Sequence, residues 1–158
     1  MVYGRYFDTK IGRLYLEAED GALVRLERQW QDGGEESNTE PEAGAVQLLE
    51  RAAAELAEYL DGKRKQFDSP VRTKGTPFQE KVWAALCRIP YGETRTYGAI
   101  AAEVGSPKGA RAVGMACNRN PVMLFIPCHR VVGSTGALVG FGGGLDVKEY
   151  QLTLEGGR

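Results

Sequence analysis

The run Ile126-Pro127-Cys128-His129-Arg130 places a thiol, an imidazole and a guanidinium on consecutive residues. A cysteine reacts as the thiolate, and at its reference pKa of about 8.5 it needs a neighbouring base or cation to become an effective nucleophile. His129 is the only histidine in the chain, and it adjoins Cys128. Nucleophilic chemistry at sulfur is one reading of this run. A buried structural cysteine beside an incidental histidine has the same spacing. Adjacent residues of a strand point to opposite faces, so contact between Cys128 and His129 requires a turn or an intervening water. Glu155 is a further candidate. It closes an expected C-terminal helix, where the macrodipole disfavours a carboxylate by about 0.3–1 kcal/mol. A buried imidazole would hold it there, and the carboxylate would fix the ring's tautomer and raise its basicity. A solvated terminal glutamate would occupy the same place.

Other chemistries lack their residues. The three cysteines, Cys87, Cys117 and Cys128, include no Cys-x-x-Cys pair, and an odd number argues against a disulfide framework or a zinc ribbon. A lone histidine gives no His-based metal site. Gly142-Gly143-Gly144 has no following Lys-Ser/Thr, so it is not a phosphate loop; it is either a place where backbone meets a flat ligand closely or a connector. No cofactor and no metal are expected.

Several elements must position these groups. The 158 residues suit one or two small domains. The net charge of −1 is unevenly spread: residues 1–70 hold 9 basic and 15 acidic side chains, and residues 71–158 hold 11 and 6. The cationic second half suits a polyanionic partner, although a charged face is often only solvated. No run is apolar and long enough for a bilayer, and the N-terminus lacks a signal-peptide core. The expectation is a cytoplasmic protein without a membrane partner.

The first half reads as α/β. Val2–Phe7 alternates loosely, and Arg13–Ala18 and Ala22–Glu27 flank an Asp20-Gly21 hairpin signal. Residues 31–44 read as a loop. Val46, Leu49, Ala53, Leu56 and Leu60 keep helical spacing from about Ala45 to Leu60. A basic connector follows, with a short strand expected near Phe67. The expected domains are 1–70 and 75–158.

In the second half, Thr76-Pro77-Phe78-Gln79 is a capping box that opens a helix ending before Pro90. Thr96 caps a short helix from Tyr97 to about Val104. Ser106-Pro107 is expected to cap another, reaching about Asn118, with Lys108, Arg111 and Met115 on one face and Val113 and Cys117 toward the core. Two short helices joined by a Gly-containing turn are a helix-turn-helix signature, though also compatible with any small helical domain. Val131-Val132 and Ala137–Val139 flank a Gly133–Gly136 turn, a small wing. Asp146 and Glu149 form a second capping-box pattern, opening a helix to about Leu154.

From Pro127-Cys128-His129-Arg130-Val131-Val132 the chain resembles the O6-alkylguanine-DNA alkyltransferases, or methylated-DNA–protein-cysteine methyltransferases. The resemblance runs from about Thr76 to Gly157 and includes Ile89-Pro90-Tyr91-Gly92, Thr96-Tyr97, Ala110–Gly114, Asn120-Pro121 and Glu155-Gly156. The first half matches only in general character. The implied fold is a ribonuclease-H-like α/β domain followed by a mostly helical domain with a helix-turn-helix and wing. The implied activity is irreversible, single-turnover transfer of an alkyl group from O6 of guanine in DNA, or O4 of thymine, to Cys128. The protein would act as a monomer, through the minor groove of double-stranded DNA.

The resemblance also implies residue roles. His129 is the base acting through a water, Glu155 orients it, and Asn120 braces the turn before the active-site strand. Tyr97 presses on the target phosphate and donates to the base, and Arg111 replaces the extruded nucleotide. Thr96, Lys108, Gly109, Ala110, Ser134 and Arg130 also meet DNA. The carbonyls of Cys128 and Val131 read the guanine amino group, and Phe141 and Gly142 line a lid. At those last two positions relatives often carry tyrosine and Ser or Ala. The competing readings are a cysteine hydrolase using Cys128 and His129, and a non-catalytic lesion sensor, which would lack the acceptor cysteine.

Overall fold

The computed structural model describes residues 2–28, 44–135 and 144–156. The chain divides into two compact units, Met1–Thr73 and Lys74–Arg158. The expected loop at 31–44 lies outside the described residues except for Gly44. Phe141, Gly142 and the second arm of the expected wing also lie outside them.

In the first unit, β1 (Val2–Thr9), β2 (Gly12–Glu19) and β3 (Ala22–Arg28) form an antiparallel meander in the order β1-β2-β3. Asp20 and Gly21, with φ of 48° and 80°, supply the two left-handed residues of a tight hairpin turn. Alternation on β2 turns Leu14, Leu16 and Ala18 inward, where they share a core with Leu49, Ala52, Leu56 and Tyr59 of helix α1 (Ala45–Leu60). The expected strand near Phe67 does not form. The Phe67 ring instead packs at 5.3 Å from that of Tyr59, and the connector touches the sheet by one bridge between Leu23 and Val71. A buried carboxylate explains this path. Glu55, inside α1, accepts from Asp68 N (3.2 Å), Ser69 N (3.1 Å) and Ser69 Oγ (2.9 Å). These bonds satisfy backbone donors that a strand would otherwise pair.

The second unit holds α2 (Pro77–Cys87), β4 (Arg95–Thr96), α3 (Tyr97–Glu103), α4 (Ala110–Asn118), β5 (Val131–Val132) and α5 (Leu145–Glu155). Both bonds of the capping box at Thr76 and Gln79 are present, and Thr96 Oγ1 caps α3 by accepting from Ala99 N. Trp83 ties α2 to α4, donating from Nε1 to Ala116 O at 2.9 Å inside the core.

Two helix starts differ from expectation. The backbone of Gly109 donates to Ser106 O at 2.7 Å, closing a separate turn, so α4 begins only at Ala110 and Lys108 precedes the helix. Helix α5 begins at Leu145 behind Gly144, whose φ of 101° suits glycine, with no side-chain cap. Asp146 therefore sits in the first turn, where the helix dipole favours it, and is not the cap. Val131 and Val132 pair in parallel with Arg95 and Thr96. Among the described residues no helix is long and apolar enough to cross a membrane.

Candidate active site

Cys128, His129 and Arg130 form one turn of 3-10 helix, all three buried. They do not occupy a strand. The turn resolves the adjacency problem by directing consecutive side chains to different partners. The chain reaches it through a braced loop. Asn120 Nδ2 donates to Ile126 O at 2.8 Å, and its Oδ1 accepts from Val122 N at 3.0 Å. Between these anchors Leu124, 2 % exposed, has a φ of 75°. A left-handed non-glycine residue costs roughly 1–2 kcal/mol; the bracket and the burial of Leu124 hold it there.

The centre of the site is the carboxylate of Glu155. Its Oε2 lies 2.7 Å from His129 Nε2. Arg130 grips it with both ends, Nε to Oε1 at 2.9 Å and Nη2 to Oε2 at 3.2 Å, the two-pronged geometry that suits guanidinium. Nη1 of Arg130 donates to Ile89 O at 2.7 Å. Gly92 N adds a bond to Glu155 Oε1 at 3.3 Å. The Pro90-Tyr91-Gly92 turn requires glycine here: its φ is 84°, and a Cβ would stand 3.0 Å from Glu155 O. Glu155 thus sits at the unfavourable end of α5 because two cationic or polar partners and a backbone donor surround it.

Burial is the largest influence on Cys128, His129, Tyr97 and Lys148. It pushes Cys128 up to about 11, opposed by a hydrogen bond from Asn120 and by the nearby Lys148 ammonium. It pulls His129 below the usual imidazole range, with Glu155 acting the other way. The resting site therefore holds a neutral thiol and a neutral imidazole. Because a carboxylate only accepts, His129 carries its proton on Nε2. Its other nitrogen, Nδ1, lies 3.1 Å from Gln151 Nε2. Tyr97, the first residue of α3, has its hydroxyl 3.4 Å from Lys148 Nζ. Burial, then Cys117 and Cys128, raise this phenol to about 12, so it stays a donor at neutral pH.

The structure therefore gathers Cys128, His129, Glu155, Asn120 and Tyr97 into one site, with Val131 beginning β5 at its edge. Arg111, Lys108 and Ser134 are exposed, whereas Thr96, Gly109 and Ala110 are partly covered. Met115, on α4 with Arg111, is 56 % exposed, and Val113 and Cys117 face inward. Arg130 departs from the expected DNA contact: its guanidinium is committed to Glu155 and Ile89 and is only 10 % exposed, so no surface cation remains there to meet a phosphate. Lys148 and Gln151, both fully buried on α5, were not foreseen. The signal was present, since 148, 151 and 155 are three and four apart and so share one helix face.

A buried thiol, a tautomer-fixed imidazole and two short helices of which the second exposes Arg111 define a cysteine-centred site beside a helix-turn-helix. The ribonuclease-like domain model of 6-O-methylguanine DNA methyltransferase matches residues 1–73, and the DNA binding domain model of the same family matches residues 77–157. The methylated-DNA–protein-cysteine methyltransferase of Methanosarcina acetivorans is 41 % identical over 157 residues, covering 98 % of this chain and 99 % of its own. The constitutive enzyme of that name from Bacillus subtilis is 45 % identical over 160 residues, covering 98 % and 96 %. Among solved structures, the Mycobacterium tuberculosis O6-methylguanine methyltransferase has a TM-score of 0.84 at 43 % identity, covering 100 % of this chain and 94 % of its own. The M. tuberculosis OGT in complex with DNA has a TM-score of 0.85 at 41 % identity, covering 97 % and 92 %. This chain belongs to the 6-O-methylguanine DNA methyltransferase family.

Proposed function

We propose that this protein repairs DNA by moving an alkyl group from O6 of guanine onto Cys128 and keeping it. The observation that carries the reading is the buried Cys128 thiol between Asn120 and Lys148, beside the His129–Glu155–Arg130 cluster, in a chain that matches the family along its length.

Guanine O6 lies within the base stack, so the nucleotide must be extruded at a cost of a few kcal/mol. Arg111, exposed on α4, fills the vacated space, and Tyr97 presses the target phosphate around. Lys108, Ser134 and the backbone at Gly109 and Ala110 supply phosphate contacts. Docking through the minor groove, where sequence readout is degenerate, suits repair without sequence preference. The monomer suffices.

Docked DNA covers the site and excludes bulk water, leaving one water between Cys128 and His129. The Cys128 proton passes to His129 through a bridging water, and the Lys148 ammonium and the Asn120 amide stabilise the thiolate. Sulfur then attacks the alkyl carbon as the carbon–O6 bond breaks, and the departing guanine takes up one proton in place of the one the thiol released. The thioether is not readily hydrolysed, so each molecule repairs one lesion. A cysteine hydrolase would need N–H donors beside the thiol for an oxyanion. The Cys128 N–H is already given to Ile126 O at 2.8 Å and the Arg130 N–H to Pro127 O at 3.1 Å, which disfavours that reading.

Mass spectrometry after mixing with an excess of oligonucleotide containing O6-methylguanine tests the proposal. One methyl per molecule on the peptide containing Cys128 is expected; unchanged mass, or repeated turnover, would overturn it. Arg111→Ala should slow repair of duplex DNA by on the order of 10²-fold, matching about 3 kcal/mol of lost extrusion energy, while reaction with free O6-alkylguanine base changes little. Equal losses on both substrates would remove Arg111 from the extrusion step. Binding of the intact protein should also weaken as salt rises, since phosphate contacts release counterions; a flat response by titration in rising salt would exclude the basic face as the docking surface.

A further inference from the structure

Gln151 is a long amide in the middle of α5, fully buried beside Val147 and Leu152. Burying an amide costs free energy unless its polar atoms are paired, and an aliphatic side chain would occupy this position without that cost. Its Nε2 lies 3.1 Å from His129 Nδ1, on the ring edge opposite Glu155. The two contacts together determine the proton arrangement of the ring. Glu155 accepts from Nε2–H, so Nδ1 presents a lone pair, and only the NH2 end of an amide can face it.

We propose that Gln151 is a positioning residue for the alkyl transfer, holding His129 as the neutral Nε2–H tautomer by donating to the Nδ1 lone pair. The ring is thereby clamped from both edges by one helix, Gln151 and Glu155 standing four residues apart on α5. The clamp also covers the only nitrogen free to take the Cys128 proton. Nδ1 has one lone pair, so the amide turns end over end to free it, and Oε1 accepts from the new N–H once the proton has arrived. Gln151 is neutral, so it serves both protonation states of the ring, which neither a leucine nor a glutamate does. The charged and titratable groups around His129 are Glu155 and Lys148 from α5, and Arg130 and Cys128 from its own turn. On α2, Cys87 interacts with Arg130. The catalytic consequence rests on His129 acting as the base.

Because His129 is the sole histidine, a long-range 1H–15N spectrum of the full chain reports its two ring nitrogens without overlap. At neutral pH the wild type should show a pyrrole-type Nε2 and a hydrogen-bonded, pyridine-type Nδ1. In Gln151→Leu the Nδ1 resonance should move toward that of an unbonded pyridine-type nitrogen. In Gln151→Glu it should move the opposite way, to a protonated nitrogen, because a carboxylate accepts at Nδ1. Single-turnover methyl transfer by Gln151→Glu should be at least tenfold slower at neutral pH, since the base is already protonated. A wild-type ring protonated on Nδ1, or an Nδ1 resonance unmoved by Gln151→Leu, overturns the assignment; the first needs no variant to fold. If the spectra behave as stated and Gln151→Glu transfers at the wild-type rate, the clamp stands and the role of His129 as base falls.

Discussion

Replacing Cys128 with alanine should leave DNA binding intact and abolish methyl transfer. The change removes one buried sulfur from a side chain only 5 % exposed, a small cavity costing about 1 kcal/mol, so the domain stays folded. The exposed side chains of α4, Arg111 and Met115, are untouched. What disappears is the thiol that takes the Asn120 hydrogen bond and lies near Lys148. Cys117 is no substitute: burial and the neighbouring Cys128 raise it to about 12, and it is tucked against the inner side of α4. Cys87 is solvent-exposed on α2, and burial of part of its surroundings raises its thiol, with Arg130 acting the other way. Transfer of radiolabelled methyl to the variant should fall below detection, with duplex affinity within about twofold of the parent. Retained label would relocate the acceptor to one of the other two cysteines, and lost affinity would mean that the site is part of the docking surface.

Glu155→Ala should be the most destabilising single change in the second unit. The carboxylate answers the Arg130 guanidinium through two bonds, the His129 ring and the Gly92 N–H. Removing one member of a buried ion pair leaves the other charged and unpaired, which costs about 3–5 kcal/mol. Domains of this size have only about 5–15 kcal/mol of stability in total. The thermal midpoint should drop by at least ~10 °C, and transfer should fall even where the variant is still folded, because the imidazole loses its orienting partner. Glu155→Gln separates the two effects: it keeps the shape and a hydrogen bond to His129 but not the charge opposite Arg130. Calorimetry showing an unchanged midpoint for Glu155→Ala would mean the cluster contributes nothing to folding.

Much of the local structure was legible because it rests on short-range chemistry. The Thr76–Gln79 box, the Thr96 cap, the Asp20-Gly21 turn and the limits of α1 each follow from residues within four positions of one another. The errors have the same origin in reverse. Ser106 and Asp146 have the composition of helix caps, yet a backbone turn and a left-handed glycine take those roles. Phe67 has strand character, but the donors beside it are claimed by Glu55 from a different element. Arg130 looks like a surface cation in a basic half of the chain, and only the fold turns it inward onto a carboxylate 25 residues away.

The sequence alone determined which atoms are available: one thiol beside the sole imidazole, a basic second helix, and a run specific enough to name a family. The tertiary structure decided what those atoms do to each other. Packing of α5 against the Cys128–Arg130 turn makes burial the dominant force on the Cys128 thiol and the His129 ring. It brings Glu155, Gln151 and Lys148 to bear on residues about twenty or more positions distant. Burial and cross-chain pairing are properties of three-dimensional neighbours, and a linear order of residues does not contain them.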